Sequence, residues 1–207
     1  MSKRPSRLLL LTFLLGALGA PEAASALLSN PDFELGPTGW VAMPADLILD
    51  VGGGLPVTPY DGSFSAWLGG DPDANDVLSQ LVSVPADMVL ESLELQHWIA
   101  TTETGSIPFD TLAVRLETPG GALLETLASW SNVDETTGWA AISLPIVGDY
   151  TGESVRLVFD SSNDAVFPTS FYLDALNLTL PEPSGGLPAG VLLLTLLARR
   201  RQRTRLR

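Results

Sequence analysis

The stretch Thr137–Leu180, TGWAAISLPIVGDYTGESVRLVFDSSNDAVFPTSFYLDALNLTL, decides the fold. Within Ser154–Asp160, Val155, Leu157 and Phe159 fall on one face and Arg156 lies between them on the other. That is the period-two pattern of a strand with one wet side. Tyr150-Thr151-Gly152 supplies the turn into it, and Asn163, Asp164 and Pro168 punctuate the exit. Phe171–Leu180 is a second, longer strand-like run whose one carboxylate is Asp174. A lone buried carboxylate is costly unless it is hydrogen-bonded, paired or bound to a metal. Asp174 is therefore the first candidate functional residue.

Working outward, the same alternation recurs. Asp110–Glu117 places Leu112, Val114 and Leu116 on one face against Ala113, Arg115 and Glu117, and Pro119-Gly120-Gly121 then marks a hairpin. Leu90–Ile99 sets Leu93, Leu95, His97 and Ile99 against Glu94, Gln96 and Trp98. Val77–Val84 reads as a strand stopped by Pro85, and Phe64, Ala66 and Leu68 alternate with Ser63, Ser65 and Trp67 after the turn Tyr60-Asp61-Gly62. Leu47–Val51 is a short strand broken by Gly52-Gly53-Gly54. Nine or ten short strands without a convincing helix predict an all-β chain folded as a single β-sandwich.

Two further features extend the case. Asn30-Pro-Asp-Phe-Glu-Leu-Gly36, followed by Gly39-Trp40, sets Asp32 and Glu34 two residues apart, on one face if the segment is a strand. The Trp139, Tyr150-x-Gly152, Val155-Arg-Leu-x-Phe159 and Leu173-Asp174 series resembles the closing half of extracellular jelly-roll domains related to the MAM and galactose-binding-like families, and the N-x-D-F-E-x-G opening resembles theirs also. The resemblance covers most of Asn30–Leu180 and departs at Ala175, where those families have a second Asp. It implies a jelly-roll topology in which the first and last strands lie close together and share a calcium ion. It thereby places Asp32 or Glu34 near Asp174, with Asp61 as a further loop ligand, and makes calcium a structural cofactor. A solvated acidic edge is the plainer alternative. Asp71-x-Asp73-x-Asn75 begins like an EF-hand loop but has Asp76 and Val82 where that loop needs Gly and Glu, so it reads as an acidic surface loop.

The ends differ from the body. Lys3, Arg4 and Arg7 precede the apolar run Leu8–Leu15, and Ala24-Ser25-Ala26 is a small-x-small cleavage site, so residues 1–26 read as a secretory signal peptide. Residues 27–180 form the predicted domain. Residues 181–207 combine Pro181-Glu182-Pro183, an apolar span Leu187–Ala198 and the basic cluster Arg199, Arg200, Arg201. This order resembles the PEP-CTERM sorting signal, which implies an exosortase-type sorting enzyme as partner; Gly185-Gly186 leave a GlyGly-type tail as the alternative. Twelve residues rise only about 18 Å as a helix, against a hydrocarbon core of about 30 Å. That favours transient membrane insertion through the C-terminal span, with the body exported to the cell envelope or surface, or secreted.

Composition narrows the function. All but two of the 24 acids lie in the body, against two of the 11 bases, Arg115 and Arg156. Such a domain repels nucleic acid and anionic lipid. With no cysteine, thiol catalysis is excluded. With His97, the single histidine, on a strand and no serine in a strained elbow, a Ser-His-Asp triad is not expected, and the chain reads as a non-enzyme. Tyr60, Trp98 and Trp130, with Trp67, are aromatics outside the inward pattern and are the candidate carbohydrate-binding residues. The sequence thus predicts a non-catalytic, surface-sorted domain that binds carbohydrate or an extracellular matrix polymer. The alternative is a purely structural envelope or biofilm-matrix protein without a small ligand.

Overall fold

Alternating inward side chains need a second layer to bury them, and the chain supplies it by folding on itself. The computed structural model describes residues 27–180; the predicted signal peptide and the predicted sorting signal, with Pro181, Glu182, Pro183, Arg199, Arg200 and Arg201, lie outside the described residues. Ten strands follow in order: β1 Val41–Met43, β2 Ile48–Asp50, β3 Phe64–Gly69, β4 Asn75–Ser83, β5 Ser92–Thr101, β6 Thr111–Glu117, β7 Leu123–Ser131, β8 Ala140–Pro145, β9 Ser154–Ser162 and β10 Thr169–Thr179. They build two five-stranded antiparallel sheets, β1-β4-β9-β6-β7 and β2-β3-β10-β5-β8. This is the β-sandwich of jelly-roll type that the alternation and the resemblance predicted. The one helical element among the described residues is a single 3-10 turn, Asn132–Asp134. Among the described residues no helix is long and apolar enough to cross a membrane.

The core lies between the sheets. Val155, Leu157 and Phe159 from β9, and Leu112, Val114 and Leu116 from β6, meet Leu93, Leu95, Ile99, Phe171 and Leu173 of the other sheet. Gln80 occupies an inward position on β4 and is satisfied there, because its amide accepts from Ser29 N at 2.6 Å and donates to Ser29 O at 2.8 Å. That pair ties the entering chain to the first sheet as a strand would. Tyr150, in the predicted turn, donates to Glu125 Oε2 at 3.0 Å, and the other contacts of that carboxylate are Val147 N and Gly148 N. Burial, with Glu125 beside it, pushes the Tyr150 hydroxyl up to about 12. Arg115 and Arg156, the two arginines of residues 27–180, are engaged on the outer side of the first sheet. Arg115 bridges Asp160 at 2.6 Å and Glu117 at 3.2 Å, and Arg156 donates to Pro119 O.

The opening segment is not the strand expected from its spacing. Asn30–Trp40 is a succession of turns, with Asn30, Phe33, Gly36 and Gly39 at φ of 50°, 60°, 61° and 87°. Phe33 is fully buried and packs against Trp40 at 5.2 Å, while Leu35 is 67% exposed. Asp32 and Glu34 therefore do not share a strand face. Asn30 holds the turn: its Nδ2 donates to Gly36 O and Thr38 O, its Oδ1 accepts from Leu35 N, and its carbonyl accepts from Trp40 Nε1.

Candidate functional site

The outer face of the second sheet carries a row of aromatics in register. Tyr172 of β10 lies directly opposite Trp67 of β3 on one side and Trp98 of β5 on the other. Trp139, immediately before β8, continues the β5–β8 register beyond His97↔Ala140. Neighbouring strands stand about 4.8 Å apart, so large side chains at matched positions must touch. Ring centroids are 6.2 Å apart for Trp67–Tyr172, 5.9 Å for Trp98–Tyr172 and 6.1 Å for Trp98–Trp139. Trp67 Nε1 donates to Ser170 Oγ at 3.1 Å, and a Cβ on Gly70 would run into the Trp67 indole. The indole is thus held flat against the backbone. Trp67, Trp98 and Trp139 are half-buried, and Tyr172 beneath them is buried.

Beyond the row the face becomes polar. A groove of about 350 Å³ runs over Glu94, Gln96, Ala141, Ser143 and Asn177. A second, of about 550 Å³, continues over Ser92, Glu94, Ser143 and Thr179. The irregular register between Asp174 and Asn177, where Ala175 takes φ 48°, lies in the wall of the first groove. One face therefore offers flat apolar rings followed by carboxylate, amide and hydroxyl groups.

Two carboxylates hold the loop that leans over the aromatic end. Asp174, on β10 and fully buried, accepts from Tyr60 N at 2.9 Å, Asp61 N at 3.3 Å and Ala175 N at 2.7 Å. Glu34 accepts from Ser63 N at 2.7 Å and Phe64 N at 2.9 Å. Anchored this way, Tyr60 lies edge-on to Trp139 at 6.2 Å, and Trp139 Nε1 donates to Thr58 O at 2.9 Å. Burial pushes the Asp174 carboxyl up to about 6; the amide donors oppose this, and the neighbouring Glu34 charge adds to it. The opening turn also meets β10 directly, through Leu176 N to Pro31 O at 2.9 Å.

The residues predicted for a metal are thus only partly brought together. Glu34 and Asp174 face one segment, and the Glu34 charge acts on Asp174. Asp32 is exposed, and Asp61 enters through its backbone N–H while its carboxylate caps Gly62 N. Among the described residues no three Asp, Glu or His side chains converge as a ligand set. What remains is an oxygen-only pair with no base beside it, a donor chemistry that fits a hard cation completed by carbonyls and water.

Of the predicted carbohydrate residues, Trp98 and Tyr60 lie on the aromatic face and Trp130 does not. Trp130 pairs with Leu112, packs against the core, and stacks on His97 with centroids 4.8 Å apart and planes 1° apart. His97 itself is inward-facing, and burial pushes its imidazole pKa down. Tyr172 and Trp139 were missed as site residues. Tyr172 alternates with Phe171 and Leu173, and that alternation was the available signal for it. Asp76, expected in a surface loop, is instead buried in β4 with its carboxyl pushed up by burial and by Asp46 and Asp71.

No protein-family model matches the chain, and no curated protein matches it. Its backbone is similar to solved β-sandwich structures. A family 61 carbohydrate-binding module in complex with β-1,4-galactotriose has a TM-score of 0.49 at 19% identity, over 75% of this chain and 98% of that one. A family 16 carbohydrate-binding module gives 0.46 at 19%, over 75% and 99%. The K3 cleaved adhesin domain of Lys-gingipain from Porphyromonas gingivalis gives 0.45 at 13%, over 72% and 96%. The likeness is one of fold, and one fold carries many functions. Function has to come from this chain's own residues.

Proposed function

We propose that residues 27–180 form a non-catalytic carbohydrate-binding domain whose ligand lies across the outer face of the second sheet. The observation that carries this reading is the in-register row Trp67–Tyr172–Trp98–Trp139 opening onto the groove of Glu94, Gln96 and Asn177. Sugar rings present apolar C–H faces that pack on indoles and hydroxyls that need directional partners. The acidic body repels polyanions, so the ligand is a neutral polysaccharide. A structural calcium belongs to this reading. Glu34 and Asp174 would hold it, and it would supply the countercharge that these two carboxylates lack. Export and sorting by an exosortase-type enzyme rest on residues 1–26 and 181–207 alone, and the mature C-terminus measured by mass spectrometry tests them: an intact Arg207 on the surface-exposed protein rejects sorting by cleavage.

The competing reading is a structural envelope or matrix domain with no small ligand. It is favoured by the Trp139–Thr58 hydrogen bond, which makes the aromatic end partly a packing surface beneath a loop. Affinity electrophoresis through neutral glucans, galactans and mannans, with alginate as the polyanionic control, separates the two. Trp98→Ala and Trp67→Ala should weaken retention at least about tenfold, and Trp130→Ala should leave it unchanged. No retention on any neutral polymer, or equal loss in all three variants, would leave the structural reading standing.

A further inference from the structure

The inward rows of β9 and β6 are apolar until their last positions, where they turn to oxygen. On β9 the row Val155, Leu157, Phe159 ends in Ser161 and then Asn163. On β6 the row Leu116, Val114, Leu112 ends in Asp110, which the register Thr111↔Ser162 and Leu112↔Ser161 carries opposite Asn163. These three residues are 0%, 1% and 5% exposed for Asp110, Ser161 and Asn163. Each holds one buried oxygen with no hydrogen-bond partner among the described residues: Asp110 Oδ2, Ser161 Oγ and Asn163 Oδ1. Glu103, just past β5 on the facing sheet, has a buried Oε1 in the same condition.

Their remaining polar atoms are already used to fix loops. Asp110 Oδ1 accepts from Asp164 N at 2.7 Å, and Asn163 Nδ2 donates to Thr169 O at 2.9 Å and Asp71 O at 3.1 Å. The free atoms are all oxygens at one end of one core. Asp76, the cross-strand partner of Ser161, is buried as well, but its Oδ2 already accepts from Gly69 N at 2.7 Å. Arg115 and Arg156, the bases of the body, are engaged on the outer side of the first sheet. Asp110 Oδ2, Asn163 Oδ1 and Glu103 Oε1 are acceptors only, the Ser161 hydroxyl alone having a hydrogen to give. Buried acceptors without donors are unfavourable, and a single water has only two hydrogens to offer several of them. A hard cation satisfies all at once.

We propose that Asp110 Oδ2, Asn163 Oδ1 and Ser161 Oγ, with Glu103 Oε1, form a buried calcium site between the two sheets, separate from the Glu34–Asp174 pair. Calcium suits it because that ion takes six to eight oxygens of mixed type in flexible geometry. No three acidic side chains converge here, so carboxylate, amide and hydroxyl share the ion with backbone carbonyls and water. The ion would join the segments at 103–110 and 163–168, which Asp110 and Asp164 already link. Asp174 lies on the opposite face of β10 from Thr169 and Phe171, so the two places do not share ligands.

The test uses the full chain, stripped with chelator, and calcium alone as the probe. To silence the first pair it is done in the Asp174→Asn protein, with Glu34→Gln as a second background should the first fail to fold. Calcium should raise the melting midpoint of these backgrounds by at least about 3 °C. Adding Asp110→Asn should raise the calcium Kd at least about tenfold, and Ser161→Ala, the milder change, should raise it measurably. A background that does not respond to calcium while the wild type does would assign all binding to Glu34 and Asp174 and overturn the proposal. So would unchanged affinity in both Asp110→Asn and Ser161→Ala, or no response in any protein.

Discussion

Taking the calcium-free protein from about pH 4 to about pH 7 should cost about 2.5 kcal/mol at one carboxylate, and Asp174→Asn should abolish that loss. The sign follows from linkage. In the unfolded chain Asp174 titrates near 3.8, whereas burial raises it to about 6 in the fold. Between those values the folded state holds more protons than the unfolded one, so stability falls as pH rises. Two units correspond to about 2.7 kcal/mol. The stabilising contribution of the neutral form is complete below pH 4 and is lost as pH climbs through 6. Asp76 is raised also and pulls in the same direction, but it does so in both proteins. The difference between the denaturation free energies of wild type and Asp174→Asn, measured across this range in chelator, therefore isolates Asp174. Parallel pH profiles would reject the assignment. Saturating calcium gives a second readout: if the ion sits on Asp174, it stabilises the charged form and the fall between pH 4 and 7 should disappear.

Asn30→Ala should destabilise the domain by about 4 kcal/mol. The side chain makes three hydrogen bonds inside the opening turn, and its residue is only 8% exposed. Removing the amide strands Gly36 O, Thr38 O and Leu35 N, at about 1 kcal/mol or more each. Alanine must also adopt φ 50°, a left-handed conformation that costs it about 1 kcal/mol. The turn inserts Phe33 into the core and aims Glu34 at Ser63 and Phe64, so the damage should reach the binding face. Asn30→Asp keeps the acceptor and the conformational preference while losing the two donated bonds, so it should fall between. Chemical denaturation of the three proteins checks the order, and an alanine variant within about 1 kcal/mol of wild type would show that the turn does not organise the entry.

The alternation in β5, β6 and β9 was legible because each of these strands has one face on the core and one on solvent, and period two then writes itself into residue type. The Asn30–Gly39 segment was misread for a reason also visible in it. Asn, Pro, Asp and Gly at that density report turns, yet the spacing of Asp32 and Glu34 suited a strand equally well. Trp130 reads from the sequence as the start of a loop beyond Ala122–Leu127, whereas β7 runs on to Ser131 and pairs Trp130 with the inward-facing Leu112.

By itself, the sequence determined the strand periods, the turn chemistry, the lopsided charge and the anomaly of a carboxylate at 174. Those are local properties, carried by neighbours along the chain. Only the tertiary structure decided which strands lie side by side. Tyr172 joins Trp67 and Trp98 across separations of 105 and 74 residues because β10 is inserted between β3 and β5. The same pairing sets Asp110 opposite Asn163 and brings Glu34 to the loop beside Asp174. Register between distant strands is fixed by the closing of the core, so both candidate sites exist only once the two sheets have met.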